Sequence, residues 1–515
     1  MACHPALQPS VPLSERACSM TSSNLDFPHP LYAEHVLKPS FADARAWLFD
    51  LMMAANKAHV VMLTEQGILS TEDGAALLCA LIQVEADGVE ARQYEPGVED
   101  LFFSVENRLV ALAGPEVGGN LQIARSRNDL GAALARMALR RRLHDVMARL
   151  HDLRAALLGF SRQHVETVMP GYTHTQPAQP TTMGHYVAAI LSFLARDAAR
   201  LQAAYATTNR SPLGAAAFTT TGFPISRTRT AELLGFDGLM DNSHDAIGAS
   251  DYMTEAMAAL ITLALNLSRV TRDLLFWATR EAAAIRLHDA FIQISSIMPQ
   301  KRNPVVLEHL RARLGRLIGQ ANSVLVMAHN VPYGDTQDIE DEIHPALFGA
   351  CETARGVLAL YRAVFETLEV DCEHLSDRAA SGFTTATELA DTLTRDAGLP
   401  FRTAHGIVSR LVQSTLARGL EPGDVTSSLL DEAAEAVIGR PLGLPEEMVR
   451  QALDPVHFVK IRARPGGPAP TTMRTWLDEA ERTLATDHDW LSAERARQTE
   501  AVEALSRRVK ALTGA

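Results

Sequence analysis

Cysteine is scarce in this sequence. The chain has 515 residues but five cysteines, which are scattered and form no CxxC pair. An odd, scattered set argues against a disulfide framework and against a cysteine-based metal site. We therefore expect no metal centre, and we expect the protein to work in the reducing cytoplasm. The cysteines are Cys3, Cys18, Cys79, Cys351 and Cys372.

Long apolar runs and an excess of basic residues are missing as well. No apolar run approaches the roughly 20 residues that span a bilayer. The N-terminal stretch lacks the basic and apolar regions of a secretory signal, and its Pro and Ser content predicts a poorly ordered arm over about the first 25 residues. The chain has 48 Lys and Arg against 61 Asp and Glu, a formal net charge of −13. This balance argues against partners such as nucleic acid or an anionic membrane surface.

Aromatic residues are also few, at 6% of the chain, whereas hydrophobic residues make up 47%. This skew favours helices, because strands collect aromatic and β-branched residues. Apolar residues recur with helical spacing from Met253 and from Val357. The stripe that begins at Met253 is apolar on more than one side, which predicts that several other helices bury it. The sequence thus predicts an all-α fold with an elongated bundle of long helices. The clearest stripe consists of Leu143, Val146, Met147, Leu150, Leu153 and Leu157.

Domain boundaries are not marked sharply by composition, and no internal repeat is present. Boundaries near 127 and 375 fall where the long helices begin and end. We therefore predict an N-terminal helical domain over 1–127, a central long-helix domain over 128–375 and a small C-terminal helical domain over 376–515.

The first segment suited to chemistry is QIARSRND, residues 122–129. Its arginines can grip a carboxylate with two parallel hydrogen bonds, and Ser126 and Asn128 add neutral donors. The same residues also fit a helix start, with Asn128 or Asp129 near the cap and the arginines in surface ion pairs. Taken alone, the segment leaves anion binding and helix capping open.

A second segment is GYTHTQP, residues 171–177, within a polar, Pro-rich and Gly-rich stretch. His174 between two threonines is suited to act as an acid, a base or an electrostatic handle. A loop histidine bound by backbone groups fits the pattern equally well.

The third segment is SSIMPQKRNP, residues 295–304. Paired serines precede two adjacent cations, and Pro304 favours the start of a helix. A serine hydroxyl can act as a base only if its anion is strongly stabilised, and backbone N–H groups with Lys301 are the donors suited to this. A basic surface loop that caps a helix is the alternative.

Together, the three segments resemble the signature regions of the fumarase/aspartase superfamily, and within it they are most similar to the argininosuccinate lyase family. The patterns ARSRND, GYTHTQPAQP and SSIMPQKRNP occur in the family's order and with family-like separations. The stretches VEDLFFSVENRL and DNSHDAIGASD agree as well. The resemblance covers roughly residues 95–345, and the termini only loosely.

The resemblance implies a three-domain fold and a homotetramer with a twenty-helix core, in which each active site combines the three segments from three chains. It also implies a small-molecule substrate with a succinyl group, fumarate as a product, and neither a metal nor an organic cofactor. Burial between subunits would explain why one long helix is apolar on several sides.

By motif match, Ser295 is the general base that removes the Cβ proton, and Lys301 and Asn303 stabilise the charge that develops on the neighbouring carboxylate. His174 is placed near the succinyl carboxylates and is held by Glu308. The implied catalytic residues are Ser295, His174, Glu308 and Lys301. The implied substrate-binding residues are Ser126, Arg127, Asn128, Thr173, Gln176, Ser296, Met298, Asn303, Tyr333 and Glu340.

Several positions depart from the argininosuccinate lyase pattern. Ile294 replaces a glycine and Pro177 replaces an arginine, while Glu340 and Ile343 replace a glutamine and a lysine in the stretch that binds the arginine portion of the substrate. Losing the lysine removes a carboxylate partner and gaining the glutamate adds an anion. Both changes suit a cationic leaving amine that has no matching α-carboxylate.

These departures favour a carbon–nitrogen lyase for an N-substituted aspartate other than argininosuccinate, as in the ethylenediamine-N,N′-disuccinate lyases. A divergent argininosuccinate lyase and a non-catalytic, crystallin-like relative are the alternatives. Because so acidic a chain must bind a polyanion, we also expect Arg127 and Lys301 to lie in a local basic pocket.

Overall fold

The computed structural model describes residues 27–514, and these residues are mainly helical. The predicted N-terminal arm, Cys3 and Cys18 lie outside the described residues. The first helices are α1 (Pro30–Tyr32), α2 (Lys38–Glu65), α3 (Thr71–Ala86), α4 (Leu101–Ala113) and α5 (Pro115–Gly118). The middle helices are α6 (Arg127–Gln163), α7 (Met183–Thr208), α8 (Arg227–Leu233), α9 (Ser243–Gly248), α10 (Asp251–Trp277), α11 (Val305–Met327) and α12 (His344–Thr367). The last are α13 (Cys372–Ala380), α14 (Ala386–Arg395), α15 (Phe401–Ala417), α16 (Ser427–Ile438), α17 (Glu446–Leu453), α18 (Pro455–Lys460) and α19 (Pro470–Thr513).

Short strands, π-helical turns and 3-10 turns lie between these helices. Three antiparallel two-stranded sheets pair β1 with β2, β3 with β6, and β4 with β5. The strands are β1 (Val168–Thr173), β2 (Gln176–Thr182), β3 (Ile285–Arg286), β4 (Gln293–Ile294), β5 (Arg302–Asn303) and β6 (Glu369–Val370). The π-helical turns are Ala33–Leu37 and Asp338–Glu342. The prediction of an all-α fold is confirmed, with these strands as small additions at loops.

Five long helices form the predicted bundle. Helix α6 packs against α7 and α12, α10 packs against α7 and α11, and α11 packs against α12. All six residues of the predicted stripe from Leu143 to Leu157 are fully buried on α6. Burying a large aliphatic side chain stabilises the fold by about 1.5–3 kcal/mol relative to leaving it exposed, so this stripe anchors the bundle.

The Pro-rich stretch after α6 is a β-hairpin rather than an irregular loop. Val168 pairs with Thr182 and Thr173 pairs with Gln176. Proline cannot donate a ladder hydrogen bond, but a two-stranded sheet has two edges on which it is tolerated. Thr182 then caps α7 by accepting a hydrogen bond from the His185 N–H at 3.0 Å, so the hairpin leads directly into the bundle.

The described residues form two large hydrophobic cores and two small clusters. The larger core extends from Phe41 to Leu375 and includes residues of the last helix from Met473 to Val509. The smaller core lies within 383–453. The predicted domain boundaries stay predictions, but the packing of α19 against α6, α7 and α3 joins residues 470–513 to the larger core.

A buried ion pair fastens α19 to the bundle. Arg154 on α6 is 2% exposed and donates to Asp487 Oδ2 at 2.6 Å, and Gln202 donates to the other oxygen at 3.1 Å. The pair explains why a charged residue lies within the most buried helix, since a buried charge needs a partner. It also joins residues 333 positions apart.

We expect Asp487→Ala to lower the free energy of unfolding by about 1–3 kcal/mol, because it leaves the Arg154 guanidinium buried without its partner. Urea denaturation followed by circular dichroism measures the change. Glu479→Ala is the matched control on the same helix, since Glu479 pairs with Arg482 on an exposed surface and such pairs contribute less than about 1 kcal/mol. Equal losses in the two variants would contradict the role given to Arg154.

Among residues 27–514, no helix is long and apolar enough to cross a membrane. The same residues contain no group of three or more His, Cys, Asp or Glu side chains arranged to hold a metal ion. Cys79, Cys351 and Cys372 are free thiols.

Candidate functional site

The first predicted segment forms the start of α6. Ser126 is the N-cap, with Oγ accepting from the Asn128 N–H at 3.3 Å, and Asp129 Oδ1 accepts from the Ser126 N–H at 3.0 Å. Asp129 also accepts from the N–H groups of Gly214 and Ala216 at 2.9 and 3.0 Å. The buried Asp129 carboxylate therefore joins the helix start to the loop that follows α7. Capping thus fixes the positions of the side chains that we predict to bind substrate.

Arg127 lies among acidic side chains rather than in a basic pocket. Its guanidinium donates to Asp100 at 2.7 Å, lies 3.5 Å from Glu99, and stands over the Phe103 ring at 5.2 Å. The expectation of a local basic pocket is therefore wrong for Arg127 within one chain. The physical reason is that Asp100, the N-cap of α4, is brought to the same place by the packing of two helix starts.

A cavity of about 320 Å³ opens beside Arg127, and we call it the acidic cavity. Part of its lining is apolar and comes from α2, including Phe41, Leu48 and Met52. The charged residues that define the acidic cavity are Glu99, Asp100, Arg127, Glu340, Asp341 and Glu342. Five carboxyl groups thus share one cation, an arrangement suited to a positively charged ligand with an apolar part.

Two of these carboxyl groups have strongly shifted pKa values. Burial, together with Asp335 and Asp341, raises the pKa of Glu340 to about 8, and Arg127 opposes that rise. Burial, together with Asp100, raises the pKa of Asp341 to about 6. Shifts of this kind cluster at functional sites, because catalysis and binding use groups poised near neutral pH.

Tyr333 lies next to this region. Its hydroxyl donates to Asp245, its ring stacks on His244 with centroids 5.6 Å apart, and its backbone carbonyl lies 3.0 Å from His244 Nε2. Asp245 raises the pKa of Tyr333 to about 12. These contacts hold Tyr333 against α9.

His174 stands at the tip of the β1–β2 hairpin. His174 and Thr175 form the two-residue turn, with φ values of 50° and 61°. Type I′ hairpin turns need positive φ at both positions, and Asn-Gly rather than His-Thr is the usual choice. Thr173, His174 and Gln176 are all exposed. A β-branched residue held at positive φ indicates a functional demand on the turn.

The third segment forms the loop between β4 and β5. Ser295 is half-buried, and its Oγ accepts from the N–H groups of Met298 at 3.1 Å and Ile297 at 3.4 Å. These are backbone donors of the kind that stabilise an oxyanion. Ile294 and Ile297 are 69% and 83% exposed, so the loop is open in the single chain.

Other residues of the third segment face a separate cleft. Met298, Lys301 and Asn303 line a cleft of about 1250 Å³ between the loop and the β3–β6 sheet. The charged residues that line this cleft are of both signs, so the expectation of a basic pocket is wrong for Lys301 as well. Besides Lys301, these charged residues are Arg280, Glu281, Arg286, Arg302, Glu369, Asp371 and Glu373. Glu308 lies on the exposed face of the first turn of α11 and Ser296 is exposed.

The predicted site residues therefore occupy three places within one chain. Arg127, Asn128 and Glu340 lie together at the start of α6, and Tyr333 lies beside them. In the described part of the chain, no hydrogen bond or ion pair joins these places, and none joins His174 to Glu308.

Sequence reasoning missed the carboxyl groups that lie around Arg127 and Glu340, although it placed Asp129 near the start of the helix. Asp100, Asp335 and Asp341 surround Arg127 and Glu340, and Asp129 anchors the helix start. The signal was present, because Asp100 precedes an apolar run as helix N-caps do, and two of the others belong to the acidic stretch YGDTQDIEDE.

Comparisons with known proteins show that the chain is similar to lyases. A family model described as "Lyase" matches residues 43–319, and one described as "Argininosuccinate lyase C-terminal" matches residues 383–460. The argininosuccinate lyase of Methanosarcina barkeri is 42% identical over 455 residues, which cover 88% of this chain and 91% of that protein.

Two solved structures are similar over nearly the whole chain. One is EDDS lyase in complex with formate, with a TM-score of 0.85, 32% identity, and coverage of 94% of this chain and 96% of that one. The other is an EDDS lyase variant with bound fumarate, with a TM-score of 0.84, 32% identity and the same coverage.

Proposed function

Since the chain belongs to the argininosuccinate lyase family of the fumarase/aspartase superfamily, we propose that its substrate is an N-substituted aspartate with a cationic leaving amine. As a member of this family, the chain is a carbon–nitrogen lyase that releases fumarate. Ethylenediamine-N,N′-disuccinate is the representative substrate. The observation that carries this proposal is the acidic cavity beside Arg127. Its carboxyl groups attract an ammonium group, and its apolar wall suits an aliphatic chain.

The elimination needs a base, donors for the growing charge and a grip on the succinyl group. Ser295 is the proposed base, and the Met298 and Ile297 N–H groups that bind its Oγ favour the anionic form. Removing the Cβ proton places a second negative charge on the adjacent carboxylate. Lys301 and Asn303 would stabilise that charge. Such electrostatic stabilisation is usually the largest contribution to lowering the activation barrier.

The succinyl carboxylates would be held by residues of the other two segments. Ser126, Arg127 and Asn128 offer donors at the N-terminus of α6, where the helix dipole favours an anion. Thr173 and His174 would approach from the hairpin tip, with Glu308 as the acidic partner of the histidine.

A homotetramer with shared sites is part of this proposal. The three groups of site residues lie apart within one chain, so a complete site needs more than one subunit. Leu265 and Phe276 on α10 are 51% and 46% exposed, and Val326 on α11 is 64% exposed. Apolar side chains on long bundle helices are suited to burial against other subunits.

Argininosuccinate is the second candidate substrate. The 42% identity to a protein named argininosuccinate lyase favours it. One feature opposes it, since Ile343 is fully buried in the larger core and offers no ammonium group to a free arginine carboxylate.

We expect purified protein to release fumarate from ethylenediamine-N,N′-disuccinate with a higher kcat/KM than from argininosuccinate. The ultraviolet absorbance of fumarate follows both reactions. A higher kcat/KM for argininosuccinate would overturn the substrate assignment and favour the second candidate. If neither compound yielded fumarate, the proposed substrate class would be overturned.

A further inference from the structure

The Glu340 carboxyl lies over the first turn of α6, the turn that carries Arg127 and Asn128. Glu340 belongs to the π-helical turn Asp338–Glu342. A Cβ atom placed on Gly131 would come within 2.8 Å of Glu340 Oε1, which is closer than packed side chains approach. Because Gly131 has no side chain, the Glu340 carboxyl fits against α6 at this position. It therefore lies next to the residues that we propose to bind the succinyl group.

The charges around this carboxyl favour its protonated form. The charged groups that face it from α4, α6 and its own segment are Glu99, Asp100, Arg127, Asp335, Asp341 and Glu342. Burial raises the pKa of Glu340 most, Asp335 and Asp341 add to the rise, and Arg127 opposes it, so the pKa reaches about 8. At neutral pH the group is a hydrogen donor rather than an anion.

A small cavity of about 20 Å³ connects Glu340 with Asn128, and both residues line it. Tyr252 and Thr336 line it as well, and Thr336 Oγ1 is buried without a hydrogen-bond partner in residues 27–514. The volume is that of one water molecule or one polar ligand atom. Since Gln337 Nε2 already donates to Glu340 Oε2 at 3.2 Å, the other carboxyl oxygen remains for such a group.

We infer that Glu340 is a catalytic residue that gives its proton to the nitrogen of the leaving amine, an inference that rests on the proposed function. Ser295 takes the Cβ proton, the Cα–N bond breaks, and its electron pair goes to the nitrogen. The reacting nitrogen is uncharged in the bound substrate, and the proton from Glu340 joins that electron pair, so this nitrogen leaves as an uncharged amine together with fumarate. Before the next turnover, the Ser295 hydroxyl gives the Cβ proton to water and the Glu340 carboxylate regains a proton from water.

Glu340→Gln tests this inference, because it keeps the shape of the side chain and removes the transferable proton. We expect kcat to fall by about a hundredfold or more while KM changes by less than about threefold. In the wild type, kcat should fall as the pH rises above about 8, where the donor form of Glu340 is lost. The variant should lack this alkaline fall, and Glu340→Asp should restore part of both kcat and the pH dependence.

Asp338→Asn is the matched control, since Asp338 is an exposed carboxyl in the same π-helical turn. It should leave kcat and its pH profile unchanged. A rise in KM alone for Glu340→Gln, or a kcat within about threefold of the wild type, would overturn the inference. The assay uses whichever of the two substrates the wild type cleaves. A wrong substrate assignment is therefore seen with the wild type, whereas a wrong role for Glu340 is seen only with the variants.

Discussion

Ser295→Ala should lower kcat for fumarate release by about a thousandfold, because the variant has no group to remove the Cβ proton. The loop geometry should survive, since alanine leaves the β4–β5 pairing intact and removes only the acceptor of two backbone N–H groups. Steady-state fumarate assays measure the loss. Light scattering should give the same particle mass for variant and wild type.

Ser296→Ala is the matched control for the base assignment. Ser296 is the adjacent hydroxyl, is exposed, and is predicted to bind substrate rather than to move a proton. Losing one hydrogen bond costs about 0.5–1.5 kcal/mol, so kcat/KM should fall by about tenfold or less. If Ser295→Ala retained more than a tenth of the wild-type kcat, the base would have to be another residue.

Lys301→Met should lower kcat by about a hundredfold to a thousandfold, the usual cost of removing one preorganised donor for a developing oxyanion. KM should change much less, because the second negative charge exists only after the Cβ proton has been removed. In the described part of the chain, Lys301 forms no ion pair that the substitution would break.

Arg302→Met separates this effect from a general loss of positive charge. Arg302 is the next residue along the chain, but its guanidinium donates to the Leu287 carbonyl at 3.2 Å and is paired with Asp289. Its substitution should therefore affect loop stability more than kcat. Equal losses of kcat in Lys301→Met and Arg302→Met would show that net charge, not a specific donor, supports the reaction.

Helix positions were the most predictable part of the fold. The stripe from Leu143 to Leu157 identified α6, and the ARSRND motif identified its start as well as a candidate site. Both signals are local, since a 3.6-residue period and a capping side chain act within a few residues of one another. The start of α11 after Pro304 was predictable for the same reason.

Contacts between distant segments were not predictable. The charged Arg154 on α6 makes sense only with Asp487, which α19 brings back 333 residues later. Arg127 was expected in a basic pocket, yet Asp100 and Glu99 neutralise it. Proline disfavours strands, yet the Pro-rich stretch after α6 forms two strands that pair across a His-Thr turn.

The amino-acid sequence by itself determined the helical class, the family and the residue types available for elimination chemistry, because these depend on composition, period and local motifs. Tertiary structure decided which charges meet. Five carboxyl groups surround Arg127 only after α4, α6 and the π-helical turn pack together, and that packing keeps a proton on Glu340. The electrostatic character of a site depends on distance and burial, and the linear order of residues specifies neither.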